Sequence, residues 1–205
     1  IDPESTTDID DAFHFKLDYP LELGIHITDL SILDINDFNK LLDYSQTIYT
    51  ETKVYHLFKN HNAISLNKND IRNCISLIVT FGDKVTYKFV KTKIQNTYKL
   101  SYNEGNKHYL IKKLFIALKR YWGEITNTHQ LIEKMMIFYN QKFAEYLQSQ
   151  NLHFIARSHK GLKEELPLSQ QMIKRLCNHK AIYKSSKDED LIHKGLNLEL
   201  YTKFF

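Results

Sequence analysis

Ile1-Asp2-Pro3-Glu4-Ser5-Thr6-Thr7-Asp8-Ile9-Asp10-Asp11-Ala12 sets four aspartates at the spacing D-x5-D-x-D-D, directly ahead of the alternating run Phe13-His14-Phe15-Lys16-Leu17. Four carboxylates held this close repel one another, which raises some of their pKa values. A hard divalent cation with a preference for oxygen ligands removes that penalty and also drives phosphoryl chemistry. Alternation across Asp8-Ile9-Asp10 points two carboxylates to one side, while Asp11 and the more distant Asp2 return from a loop. A calcium loop does not fit, because its pattern needs a turn glycine where Phe13 stands and a bidentate glutamate that does not follow. A polymerase-like D-x-D pair fits but is common by chance, and a multi-aspartate cluster for two metals accounts for more of the stretch.

Working outward, 12–17 and 22–28 alternate in polarity around Asp18-Tyr19-Pro20 and predict two antiparallel strands, with the aspartates at the entrance to the first. Residues 34–58 show approximate helical spacing. Residues 75–81 and 85–90 predict a hairpin around Gly82-Asp83, followed by a third strand over 92–100. Apolar residues recurring at three and four predict helices over 108–121 and 128–148, the second opened by Asn127-Thr128. A short strand near Phe154-Ile155 and a further helix over 168–177 complete the pattern. The fold class expected is α+β: a curved mixed β-sheet from the first half, packed by α-helices from the second, with the aspartates at the sheet's rim.

The chain has 205 residues, 42% of them hydrophobic and 13% aromatic, enough for one large domain or two small ones with a proper core. No run approaches a membrane span and the N-terminus carries no secretion signal, so the expectation is an intracellular, cytoplasmic protein without a membrane partner. The first residue is Ile1, which suggests a piece of something longer. Two cysteines, Cys74 and Cys177, fit neither a disulfide framework nor a zinc site and read as reduced packing residues. The net charge of +4 hides a polarity: the first 50 residues hold 11 acidic and 2 basic side chains, which leaves 13 acidic and 26 basic for the rest. A cation-masked acidic pocket on a basic body suits a polyanionic substrate, although lysines on a solvated surface give the same totals.

The aspartate block, followed by Gly24-Ile25-His26-Ile27-Thr28-Asp29-Leu30-Ser31, resembles the ribonuclease II (RNB) family. Later blocks keep that family's order. They are Ile64-Ser65-Leu66 with Asp70-Ile71-Arg72, then Leu100-Ser101-Tyr102, then the His129 to Met136 stretch with Asn140. Arg157-Ser158-His159 and His193-Lys194-Gly195-Leu196 through Tyr201 follow. The resemblance implies a hydrolytic exoribonuclease that takes single-stranded RNA by its 3′ end and releases nucleoside 5′-monophosphates. It also implies that Asp2, Asp8, Asp10 and Asp11 hold Mg²⁺, with Mn²⁺ as the other candidate ion, and that Asp8 and Asp10 serve catalysis. Tyr102 would hold the terminal nucleotides by stacking, and Glu133 would contact the sugar, where a 2′-hydroxyl marks RNA.

By the same resemblance, 1–205 would form one incomplete RNB-type catalytic domain, truncated at both ends. The cold-shock-like modules, the C-terminal OB-fold module and an arginine-rich segment expected after Leu200-Tyr201 are not in the sequence. Lys134 stands where the family has a second glutamate, and the link from Tyr102 to His129 is short. Two other readings stay open: a catalytically incomplete RNA-binding or scaffold module, and an acidic-cluster nuclease or nucleotidyltransferase of unrelated fold. His26, flanked by Ile25 and Ile27, reads as a hydrogen-bonded structural residue. Arg72 and Arg157 are left between pairing with aspartates and reaching phosphate.

Overall fold

A computed structural model describes residues 1–32, 48–50, 52–56, 61–159 and 181–202. The chain divides into two compact units, Ile1–Ile132 and Glu133–Phe205. Among the described residues no helix is long and apolar enough to cross a membrane.

The first unit is built on a four-stranded antiparallel sheet in the order β1-β2-β5-β6, with β1 at Asp11–Lys16, β2 at Leu21–Thr28, β5 at Ile71–Phe81 and β6 at Val85–Gln95. Period-two side-chain alternation and this register assign the faces. Leu23, Ile25, Leu77 and Val79 lie on one face and are fully buried. Phe81 ends that face, with its ring 4.6 Å from Tyr121 and 5.8 Å from Trp122 at the end of a helix, α3, over Tyr109–Trp122. Ile111, Leu114 and Leu118, spaced at three and four, form the buried stripe of α3.

A polar chain runs across the middle of the opposite face of the sheet. His14 Nδ1 lies 2.8 Å from His26 Nε2, His26 Nδ1 lies 2.7 Å from Ser76 Oγ, and Ser76 continues to Thr92. His26 is thus hydrogen-bonded on both ring nitrogens, as its position between two isoleucines suggested. Burial, and then His14, push its pKa down to about 4. Near the start of β1, Ile9, Leu66 and Cys74 form a small buried cluster that fixes the segment carrying the aspartates, so Cys74 is the packing residue expected.

Strands β3 (Ile48–Tyr49) and β4 (Val54–Tyr55) pair with each other, joined by a turn in which the Thr50 hydroxyl donates to Lys53 O and accepts from Lys53 N. This corrects the helical reading of 34–58 for its described part. The turn satisfies the backbone locally, and spacing alone does not separate a helix from so short a hairpin. The rest of that segment, and the helix expected over 168–177 with Cys177, lie outside the described residues. The third strand expected over 92–100 does not exist as a separate element. β5 begins at Ile71, four residues earlier than expected, so β6 continues opposite it without a break to Gln95.

Helices over 108–121 and 128–148 are found as α3 and as α4 (Thr128–Ser149), with Asn127 Oδ1 accepting from Gln130 N at the N-terminus of α4. In addition there are a single turn, α1, at His61–Ile64 and a short helix, α2, at Tyr102–Lys107. The α+β class holds. Among the described residues all ladders are antiparallel, and parallel pairing is confined to isolated bridges such as Asp2 with Ser101 and Lys68 with Asn96.

In the second unit, β7 (Ile155–Ser158) pairs with β8 (Ile182–Ser185), and Thr202 bridges to Ala156. His159 and His193 are buried with rings 5.4 Å apart, Tyr201 stands edge-on to His193 at 5.5 Å, and the Tyr201 hydroxyl accepts from Asn140 Nδ2 at 3.2 Å. Four residues quoted for the family resemblance therefore come together as a buried packing cluster, Asn140 and Tyr201 through a hydrogen bond and the two histidines and Tyr201 through their rings.

Candidate metal and nucleic-acid site

Hydrogen bonds at or beside each of the four N-terminal aspartates hold the backbone that carries them. Asp2 N donates to Leu100 O at 3.1 Å, and Lys99 Nζ donates to Thr6 O at 2.9 Å, which together clip the first residues to the 96–101 segment. Ile9, buried between Asp8 and Asp10, donates from its N–H to Ser65 Oγ at 2.9 Å, and its carbonyl accepts from Leu66 N at 2.8 Å. Asp10 O accepts from Thr28 N at 3.1 Å, and Asp11 opens β1 opposite Ile27. The Ser65-Leu66 block thus acts as a backbone anchor for the aspartates. Arg72 is likewise structural, donating to Asp70 Oδ2 at 2.7 Å and to the carbonyls of Ser65, Asn62 and Ile71.

The electrostatics show which carboxylates feel one another. Desolvation, then Asp8 and Asp2, push the Asp10 carboxyl up. Desolvation and Asp2 push Asp11 up to about 6, the N-terminal ammonium opposing and Asp10 adding to the rise. Desolvation raises Asp2 as well, against the ammonium group and Lys99. Each of the four either raises or is raised by another, as the crowding at D-x5-D-x-D-D predicts. Asp8 differs in having a close partner: His56 Nδ1 lies 2.9 Å from its Oδ1 and 3.0 Å from its Oδ2.

Tyr102 lies within the field of two of these carboxylates. Its hydroxyl pKa is raised by desolvation and then by the charges of Asp2 and Asp11. The ring occupies the first position of α2, which a reciprocal capping box opens: Glu104 N donates to Ser101 Oγ, while Ser101 N donates to Glu104 Oε2 at 2.7 Å. Thr128 ties α2 to the start of α4, its hydroxyl donating to Tyr102 O at 2.9 Å and its N–H to Asn106 Oδ1 at 2.8 Å. The next residue, His129, stacks on Tyr102 with ring centroids 3.6 Å apart. Gly105 makes this close packing possible, since a Cβ there would stand 2.8 Å from Thr128 Cγ2 and 3.2 Å from Ile1 Cδ1.

Asp2 and Asp11 also line a cleft of about 280 Å³ together with Phe13, Phe15, Leu110 and Ile111, which combines a charged and an apolar wall. Glu133 is exposed on α4 and belongs to the second unit, so the carboxylate site described is wholly a feature of the first.

The donor set suits a hard divalent ion: the side chains are all oxygen donors, and burial raises Asp2, Asp10 and Asp11, with neighbouring carboxylates adding to the rise at Asp10 and Asp11, a cost that positive charge relieves. Among the described residues, however, no three His, Cys, Asp or Glu side chains stand close enough to form an assembled metal cage. The cluster is electrostatically coupled and still open. His56 and His129 were not singled out as site residues from sequence. His56 reaches Asp8 across 48 residues with no local pattern to announce it, and His129 stands in a block of the resemblance without a signal of its own.

A model of the RNB domain family matches residues 1–114, more than half of the chain. Ribonuclease R 2 of Lactococcus lactis subsp. lactis is 30% identical over 122 residues, covering 52% of this chain and 18% of that protein. RNase R of Mycoplasma genitalium, solved with ribose methylated single-stranded RNA and with double-stranded RNA, superposes with TM-scores of 0.72 and 0.74 at 15% and 17% identity. Those superpositions cover 99% of this chain and 46% and 52% of the solved chains. An active-site mutant of the Dss1 exoribonuclease from Candida glabrata gives 0.71 at 17% identity, over 99% of this chain and 39% of that one. At such identities these structures establish the fold, and the chain spans about half or less of the length of each relative.

Proposed function

The chain belongs to the RNB domain family, and on that premise we propose that it forms the carboxylate-bearing part of a metal-dependent exoribonuclease that degrades single-stranded RNA from its 3′ end to nucleoside 5′-monophosphates. The observation that carries this reading is the coupling of Asp2, Asp8, Asp10 and Asp11 to one another, with the Tyr102 hydroxyl inside the field of Asp2 and Asp11.

Asp2, Asp8, Asp10 and Asp11 would hold Mg²⁺ or Mn²⁺, and the bound ion supplies charge neutralisation at the scissile phosphate and a more acidic water. The residues' own contributions follow from their placement. Asp10, raised by burial and then by Asp8 and Asp2, feels both neighbouring charges, and with Asp8 it forms the catalytic pair of the reading. Tyr102, backed by His129, offers a flat aromatic surface beside the carboxylates on which a terminal base stacks. Glu133 would read the ribose 2′-hydroxyl, which favours RNA over DNA.

The test is a single-stranded RNA labelled at its 5′ end, incubated with the protein in Mg²⁺. The expected course is stepwise shortening from the 3′ end with mononucleotide release, lost in Asp10→Asn while RNA binding persists. Products with internal ends, or cleavage retained by Asp10→Asn, overturn the proposal. RNA binding by the parent protein without any shortening identifies a binding module instead.

A further inference from the structure

We infer that His56 is a positioning residue for the metal site: its imidazole holds the Asp8 carboxylate in the orientation in which it meets the cation. This inference rests on the metal reading proposed above.

The geometry has two parts. His56 Nδ1 lies 2.9 Å from Asp8 Oδ1 and 3.0 Å from Oδ2, and the two side chains retain only 21% and 14% of their accessible surface. An ionised carboxylate only accepts hydrogen bonds, so Nδ1 carries the proton and the ring adopts the corresponding tautomer. The hydrogen bond goes to Oδ2, with Oδ1 within ion-pair distance of the same nitrogen, so a carboxylate that swings away from the ring loses both contacts. The backbone beneath is held independently, through the bonds of Ile9 to Ser65 and Leu66. Asp8 is therefore fixed at its Cα and again at its carboxylate.

Delivery of the imidazole is equally specific. His56 immediately follows β4, and the Thr50–Lys53 turn that closes the β3–β4 hairpin sets where that strand ends. Hydrogen bonds to a ligating carboxylate orient it and tune its basicity, and their loss typically costs 10–100-fold in metal affinity. In this site the effect is accentuated, because Asp8 is one of the two charges that act on Asp10. A carboxylate that swings away from its place changes the field at its neighbour as well as its own contact with the ion.

The experiment measures Mn²⁺ affinity of the protein by calorimetry, with circular dichroism to establish that each variant is folded. His56→Ala is expected to weaken Mn²⁺ binding by about 10–100-fold. His56→Asn, whose amide nitrogen sits near the position of Nδ1, restores most of the loss, whereas His56→Gln, with its amide one bond further out, does not. Adding His56→Ala to Asp8→Asn has no further effect. If His56→Ala does not fold, the Asn and Gln pair decides the matter. His56→Ala binding like the parent, or Asn and Gln behaving alike, overturns the inference and leaves the metal reading standing. A folded parent protein that takes up no Mn²⁺ overturns both.

Discussion

The imidazole of His129 lies flat on the ring of Tyr102, with centroids 3.6 Å apart and planes 11° from parallel. One face of the tyrosine is thereby covered, so a nucleobase that joins the stack takes either the other face of Tyr102 or the outer face of His129. Stacking of a base on an aromatic ring is worth about 1–3 kcal/mol and does not depend on a hydroxyl. Tyr102→Ala is expected to weaken binding of a short single-stranded RNA by roughly tenfold or more, while Tyr102→Phe keeps it. Fluorescence anisotropy measures both, and equal losses would exclude stacking as the source.

Asp11 supplies a pH test with a definite sign. Its folded pKa is about 6, whereas an unfolded aspartate titrates near 3.8. The group's contribution is fully present below the unfolded value and is lost as pH rises through 6, up to about 3 kcal/mol before allowance for solvent screening. Asp11→Asn removes that cost. In cation-free buffer the variant should match its parent near pH 4 and exceed it in melting temperature at pH 7.5, and Mg²⁺ should stabilise the parent more than the variant. Comparing variant with parent also cancels His26. That histidine's lowered pKa of about 4 works the other way, giving stability present above 6.5 and lost as pH falls through 4.

Gly24 is required by its neighbour across the strand pair. A Cβ at this position would stand 2.1 Å from His14 Cε1 and 2.4 Å from Nδ1, so Gly24→Ala forces the His14 ring outward and breaks its 2.8 Å bond to His26. Leaving the buried His26 nitrogen unpaired costs about 1–3 kcal/mol, to be read in urea denaturation. The same change made together with His14→Ala should add little, because the clash has gone. A fully additive double variant would place the cost elsewhere.

Ser101→Ala removes the N-cap of α2, and a loss of about 1 kcal/mol is expected from that alone. Because Tyr102 is the first residue of the helix, its hold on RNA should weaken in the same variant. Stability and RNA affinity measured together check this, and a stability loss with unchanged affinity would show that Tyr102 keeps its place without the cap.

The elements that were legible in the sequence were those with a local period. β1, β2, the β5–β6 hairpin, α3 and α4 all carry alternation or three-and-four spacing over at least six residues, and the structure has each of them. The Ser101-x-x-Glu104 capping box was also present in the sequence, but Asn103, Gly105 and Asn106 are poor helix formers and hid the short α2 behind it. The aspartates could be seen because four of one type crowd a dozen positions. His56 could not, since its partner is 48 residues away and a single histidine after a two-residue strand has no periodic signature. Arg72 was undecided between phosphate and protein, and its carbonyl contacts show it bracing the loop behind the aspartates.

The peptide hydrogen bond from Asp2 to Leu100 joins the two ends of a bracket whose interior is the whole antiparallel sheet. What lies between these residues can lengthen or shorten in its hairpin tips without altering the spacing of acid and aromatic ring, because that spacing is measured across the clasp and not along the chain. Sequence drift and insertions are therefore tolerable in the tips, whereas a proline at position 2, which would delete the donor, is the small change to which the arrangement is most exposed.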